Sequence, residues 1–118
     1  MTADAQAGPV GVRQGEVVRL SAWVRVPETI RSTERGAIVN LLGFDASGKA
    51  VPGWESMRIE ANRHRKTCGW TQLTITRRVD DARIAKVGVR LGICGSGACD
   101  FDDVRLCRLV PAGRWAGP

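Results

Sequence analysis

The chain of 118 residues contains no tyrosine, only two phenylalanines and a single histidine. It has four cysteines but no CxxC pair, so no spacing typical of a zinc site occurs. His64 lies in a basic run with no nucleophile beside it, and no phosphate-binding loop or metal-hydrolase motif is present. Adjacent acids such as Asp102 and Asp103 do not match the separated carboxylates that glycoside hydrolysis requires. The sequence therefore predicts a protein that is not an enzyme.

Long apolar runs are also missing, since nothing approaches the roughly 20 residues of a membrane-spanning helix. We therefore expect no membrane partner. The N-terminus lacks the basic start and apolar stretch of a signal peptide, so we expect either that a leader was removed or that the chain is a piece of a longer protein. The net charge of +6 favours an acidic or hydroxyl-rich partner, although abundant arginine is equally typical of a GC-rich genome.

The chain contains several segments in which apolar and polar residues alternate regularly, and turns separate these segments. This alternation predicts a single all-β domain over residues 15–110, built as an antiparallel sandwich or barrel. Residues 1–14 are expected to be a flexible segment or a remnant strand, and residues 111–118, which include Trp115, a flexible tail. The predicted strands cover residues 17–26, 37–44, 54–61, 70–79 and 84–93, and a last strand follows the turn at 95–98 and ends at residue 109.

The clearest alternation lies in residues 17–26, where every second residue is aliphatic and Trp23 and Arg25 fall on the opposite, polar side. Residues 37–44 are apolar on both sides, as in a central strand. In the following strand we expect Trp54 and Arg58 to point outward. Trp70 and Gln72 are expected on the polar side of their strand.

The last predicted strand changes the parity of its apolar residues, because Phe101 is odd-numbered whereas Val104 and Leu106 are even-numbered. A β-bulge at Asp102 and Asp103 would allow all three to face one core. Adjacent carboxylates in such a strand must be exposed, paired or bound to an ion. The alternatives are an ion site at the bulge, a turn cap, or a pair with an arginine such as Arg90 or Arg105.

The cysteines allow two disulfide bonds. Cys94 and Cys99 flank a short turn and would face each other in a hairpin, so a bridge between them is the first choice. Cys68 with Cys107 is the second, and both would indicate an oxidising compartment. The alternative is four buried thiols, since unpaired cysteine is often buried.

Four motifs occur in an order that resembles one group of proteins. They are GEVVRLSAWVR at residues 15–25, GFDASGK at 43–49, GWTQLT at 69–74 and GACDFDDVRL at 97–106. Their order and spacing are similar to those of the jelly-roll carbohydrate-binding modules attached to xylanases, cellulases and laminarinases. The resemblance implies a jelly-roll-like sandwich of two antiparallel sheets, and a ligand on a concave sheet face or at loop tips.

The resemblance also implies a secreted protein of the cell envelope or exterior, and a place beside the catalytic domain of a larger glycan-active protein. A structural calcium ion would be held with the help of Asp102 or Asp103. The chain differs from the group in having little room before Gly15 for the first strands. The sandwich would then lack an edge, which favours strand donation or a homodimer paired through edge strands.

Sugar binding requires an aromatic plate and planar polar side chains. The candidate tryptophans are Trp23, Trp54 and Trp70, and Trp70 ranks lowest because the corresponding tryptophan commonly packs inside related modules. For each of the three, the alternative is that it covers the edge of the core and binds no ligand. The expected ligand is a polysaccharide, acidic or neutral. The predicted binding residues are Trp23, Arg25, Trp54, Arg58, Trp70, Gln72 and Arg90.

Two other functions compete with this prediction. One is a structural sandwich that packs on a partner domain or subunit and binds no ligand. The other is nucleic-acid binding through a basic patch formed by residues 63–66 with Arg77 and Arg78. The latter is less favoured, because aromatic residues are not interleaved with the basic ones and the acids at 80–81 and 100–103 interrupt the positive field.

Overall fold

The computed structural model describes residues 2–26, 37–61, 69–94 and 99–109, without the side chains of 2–8, 59–61 and 94. These residues contain β-strands and turns, and no helix among them is long and apolar enough to cross a membrane. The strands are β1 (Thr2–Gly11), β2 (Val17–Arg25), β3 (Ala37–Phe44), β4 (Ala50–Ala61), β5 (Thr71–Arg78), β6 (Lys86–Cys94) and β7 (Asp100–Leu109).

The strands form two antiparallel sheets, with the orders β1-β6-β3-β4 and β5-β2-β7. Of the described strands, only β3 and β4 are consecutive along the chain and adjacent in one sheet. In the turn between them, Asp45 accepts hydrogen bonds from the backbone N–H groups of Ser47 and Lys49. Gly48 completes that turn with a φ of 87°, a left-handed conformation that glycine adopts without steric cost. The prediction of an all-β sandwich is confirmed.

The core lies between the sheets. Val18, Leu20, Ala22 and Val24 of β2 are fully buried there, as the alternation predicts. They pack against residues of the four-stranded sheet such as Leu41. β3 and β6 are the interior strands of that sheet, and β3 is buried from Ala37 to Leu41, in agreement with the apolar residues on both of its sides.

Residues Thr2–Gly11 form β1, which pairs with β6 from Thr2 opposite Cys94 to Gly11 opposite Lys86. The register shifts between Ala7 and Val10. The four-stranded sheet therefore has an N-terminal edge strand in a segment that shows no alternation in sequence. The predicted tail, residues 111–118, lies outside the described residues.

The predicted bulge in the last strand is present. Ser21 of β2 pairs with Arg105, whereas Trp23 pairs with Asp102, so two residues of β7 lie opposite Ala22 alone. One of them, Asp103, has a φ of 48°. Because of this extra residue, the apolar side chains on both sides of the bulge point to the same face of the sheet. Three of them pack against the core, namely Phe101, Val104 and Leu106.

Both predicted disulfide bonds are wrong, because Cys99 and Cys107 are free thiols. The first bridge assumed that Cys94 and Cys99 face each other in a hairpin. They belong instead to the end of β6 and the approach to β7, which lie in different sheets. The proposed partner of Cys107, Cys68, lies outside the described residues.

Candidate functional site

The outer surface of the three-stranded sheet carries most of the aromatic and charged side chains that the sequence singled out. We call it the tryptophan face. The pairing of β2 with β5 and β7 arranges its outward side chains in rows across the sheet. From one end to the other the rows are Trp70, Arg25 and Asp100; Gln72, Trp23 and Asp102; Thr74, Ser21 and Arg105; Thr76, Arg19 and Cys107; and finally Arg78 beside Val17.

Trp23 and Trp70 are the exposed large hydrophobic residues of the described chain, with exposed fractions of 36% and 41%. Trp23 lies directly opposite Gln72, and Trp70 lies two residues before Gln72 on the same side. The two indoles are therefore diagonal neighbours, with Cβ atoms roughly 7 to 8 Å apart. This end of the face therefore presents two exposed indoles with the amide of Gln72 beside them.

Arg25 fixes one end of this pair of indoles. Its guanidinium lies over the Trp70 ring, 4.9 Å from the ring centroid. Its Nε and NH2 groups both donate to Oδ2 of Asp100, at 3.0 and 2.8 Å. The carboxylate neutralises the guanidinium and holds it on the indole, so that Trp70 is supported in one orientation.

The predicted calcium ligands are occupied by other partners. Asp103 accepts a hydrogen bond from Nε of Arg105 at 2.8 Å, and Asp102 accepts one from the backbone N–H of Asp103. Within the described chain no three acidic, histidine or cysteine side chains come together as a metal site. Because calcium prefers six to eight oxygen ligands, these two residues do not fit a calcium site. Calcium binding stays a prediction of the resemblance.

Trp54 is not part of the tryptophan face, and the prediction that it points outward is wrong. It is only 3% exposed. Its Nε1 donates to Oδ1 of Asp80 at 2.9 Å, and Arg77 lies over its ring at 4.1 Å from the centroid. β4 is an edge strand, and Trp54 packs from it into the core on the side where Arg77 of β5 lies.

Arg58 and Arg90 are also separated from the face. Nε of Arg58 donates to the carbonyl of Thr74 at 3.2 Å, which joins β4 to β5 along the side of the sandwich. Arg90 lies on β6 in the other sheet, where it pairs in register with Asn40. Four of the seven predicted binding residues therefore come together, namely Trp23, Arg25, Trp70 and Gln72.

The face also contains charged residues that were not among the predicted binding residues, including Asp100, Arg19 and Arg78. Asp100 pairs with Arg25 only because the bulge sets the register of β7 against β2. Arg19 is on the same side of β2 as Trp23, and that alternation was the available signal. Arg78 joins the face through the pairing of β5 with β2, which the sequence does not reveal.

The fold and this face define a small antiparallel β-sandwich domain with an exposed aromatic surface. No protein-family model matches the chain, and no curated protein matches it. Among solved structures, it is similar to the enzymatically active domain of tailspike protein 4 from bacteriophage CBA120, with a TM-score of 0.67 at 11% sequence identity. The match covers 92% of this chain and 14% of that chain. At this identity the likeness concerns the fold alone.

Proposed function

We propose that this chain is a non-catalytic polysaccharide-binding domain of a larger, glycan-active protein, and that the tryptophan face is its binding surface. The observation that carries the proposal is the pair of exposed indoles, Trp23 and Trp70, on the same side of one sheet. Two large aromatic side chains on one exposed surface are typical of an interaction site. The apolar face of a sugar ring matches such a plate.

The polar groups around the indoles suit hydroxyl groups. Gln72 offers an amide beside Trp23, and Asp102, directly opposite Trp23 on β7, offers a carboxylate. Ser21 and Thr74 face each other in the next row and supply hydroxyls. A few well-placed polar groups around an apolar plate are what small-molecule and sugar recognition requires.

Two features support a binding role without catalysis. Asp100 and Asp103 are each engaged by an arginine, at 2.8 Å in both cases. Glycoside hydrolysis instead needs two carboxyl groups that flank the bond to be cleaved, and on this face the acids lie in one strand. The proposed role within a larger protein is supported by the structural neighbour. The match covers only 14% of that chain, which is itself an enzymatically active domain. An extracellular or envelope location follows from the proposed ligand.

The test is affinity electrophoresis in gels that contain xylan, laminarin, polygalacturonate or alginate. We expect wild-type protein to be retarded by at least one polymer. Trp23→Ala and Trp70→Ala should each weaken binding by roughly tenfold to a hundredfold, because each removes the burial of a large aromatic surface. Gln14→Ala, in the exposed turn between β1 and β2, should bind like wild type.

Circular dichroism and thermal melting should show that both tryptophan variants remain folded, since their side chains are not part of the core. Unchanged retardation of both folded variants would contradict the assignment of the face. If no polymer retards the wild type, and the tryptophan variants instead abolish binding to a neighbouring domain of the same protein, the face is a packing surface for that domain.

A further inference from the structure

The arginines of the tryptophan face fall into two groups. Arg25 and Arg105 are each paired with a carboxylate of β7, Asp100 and Asp103 respectively, at 2.8 Å. Their positive charge is balanced within the protein. A ligand anion at either position would have to compete with the carboxylate already present.

Arg19 and Arg78 form the second group. Nε of Arg19 donates to Oγ1 of Thr76 at 3.1 Å, and NH1 of Arg78 donates to the carbonyl of Gly15 at 3.4 Å. Both acceptors are neutral, and neither guanidinium has a carboxylate partner within residues 2–26, 37–61, 69–94 and 99–109. Both side chains are exposed.

These two arginines lie close together at one end of the face. Arg19 is directly opposite Thr76, and Arg78 is two residues further along β5 on the same side. They are diagonal neighbours with Cβ atoms roughly 7 to 8 Å apart, the same relation that Trp23 and Trp70 have at the other end. Arg19 is four residues from Trp23 along β2, which corresponds to about 13 Å.

We propose that Arg19 and Arg78 bind an anionic group, a carboxylate or sulfate, of a polysaccharide whose sugar rings lie against Trp23 and Trp70. This inference rests on the proposed function and specifies its ligand class as an acidic polysaccharide. Guanidinium groups form charge-assisted hydrogen bonds with such anions through two parallel N–H groups. The separation of the two ends requires a chain longer than one sugar ring.

The distribution of acids on the face favours a polysaccharide over a nucleic acid. Asp100 and Asp102 lie on β7 in the same two rows as the tryptophans. A base stacked on Trp23 would bring its phosphate close to the carboxylate of Asp102, directly opposite Trp23, which would repel it. A polysaccharide can place neutral hydroxyl groups there and present its charge at Arg19.

The experiment compares charged and neutral forms of one polymer. Binding of polygalacturonate is measured by affinity electrophoresis and by calorimetry, beside the same polymer after its carboxyl groups have been reduced to alcohols. The variants are Arg19→Gln, Arg78→Gln and the double variant. Arg13→Gln, in the exposed turn between β1 and β2, is the matched control with the same change in net charge.

We expect the charged polymer to bind more tightly than the reduced one to wild type and to the control. Each arginine variant should weaken binding of the charged polymer by roughly tenfold, as for loss of a hydrogen bond between charged groups. Binding of the reduced polymer should not change. Higher salt should weaken binding of the charged polymer alone, because exposed charges are screened.

Three outcomes would overturn the inference. The first is that polygalacturonate, alginate and heparin all fail to bind. The second is that the arginine variants match Arg13→Gln while Trp23→Ala still loses binding, which leaves the proposed function intact. The third is that oligothymidylate binds as tightly as the acidic polymers. If Trp23→Ala and Trp70→Ala also leave binding unchanged, the proposed function fails as well.

Discussion

At the scale of single residues, Trp54 packs at the side of the sandwich where β4 and β5, edge strands of different sheets, lie next to each other. Its buried indole N–H is satisfied by Asp80, and Arg77 covers its ring while donating to Oγ of Ser56 at 3.2 Å and to the carbonyl of Gly53 at 3.3 Å. β4 and β5 lie in different sheets and share no backbone pairing. These side-chain contacts therefore join the two sheets along this side.

Gly43 provides the space that the Trp54 ring occupies. A Cβ atom at this position would lie 2.6 Å from Cε3 of Trp54 and 2.7 Å from Cδ1 of Ile84. We therefore expect Gly43→Ala to lower the free energy of unfolding by about 1 to 3 kcal/mol, the usual range for overpacking a core. Urea denaturation measures the change.

Gly11→Ala is the control, because a Cβ atom at Gly11 would meet no atom within 4 Å. It should leave the free energy of unfolding nearly unchanged. If the two alanine variants were equally stable, the close packing of Gly43 against Trp54 would be incorrect.

The sequence predicted part of this arrangement. Alternation correctly placed Trp54, Ser56 and Arg58 on one side of their strand. It placed that side outward because the apolar residues Met57, Ile59 and Ala61 lie on the other side. The true direction depends on the space above Gly43 and on the partner Asp80, and both belong to other segments of the chain.

At the scale of strands, β7 depends on its bulge. Asp103 has a φ of 48°, in the left-handed region that costs most residues energy. Aspartate tolerates it better than most, and its carboxylate also pairs with Arg105. This bulge could be predicted from the sequence because its signal, the change of apolar residues from odd to even positions, lies within residues 101–106.

A pair of substitutions at Asp103 separates the backbone effect from the loss of the carboxylate. Asp103→Gly and Asp103→Ala both remove the exposed ion pair with Arg105, which contributes little. Only glycine adopts the observed φ without steric cost. We expect the glycine variant to be more stable than the alanine variant by about 1 kcal/mol in urea denaturation. Equal stability, or a more stable alanine variant, would contradict the bulge geometry.

The pairing between strands could not be predicted in the same way. The alternation of β2 places Trp23, Arg25 and Arg19 on one side, but Asp100 and Arg78 become their neighbours only through the registers with β7 and β5. β1 has no alternation, and its position at the edge of the sheet depends on pairing with β6. Tertiary contacts determine β-strands of this kind more than local propensity does.

At the scale of the whole molecule, the two sheets present different outer surfaces. The tryptophan face is aromatic and charged, whereas the outer side of the four-stranded sheet contains Asn40, which is only 4% exposed. Its Oδ1 atom is buried and has no hydrogen-bond partner among the residues that the structure describes. Retardation in a gel shows that a ligand binds, but it does not show which of the two outer surfaces the ligand covers. A second experiment must identify that surface.

The reactivity of Cys107 can identify the covered surface, because its exposed thiol lies beside Arg19 on the tryptophan face. Cys99 packs against the core, and partial burial, with a smaller effect of Asp100, raises the pKa of its thiol. Since the thiolate is the reactive form, we expect maleimide to label Cys107 faster than Cys99. Peptide mass spectrometry measures both rates.

Saturating acidic polysaccharide should slow the labelling of Cys107, because the polymer that contacts Arg19 also covers the neighbouring thiol. In Trp23→Ala the protection should disappear, while the labelling of Cys99 should be the same with and without polymer. If Cys107 reacted at an unchanged rate under conditions that retard the protein fully, the polymer would be bound away from the tryptophan face, and the outer side of the four-stranded sheet would be the surface to test next.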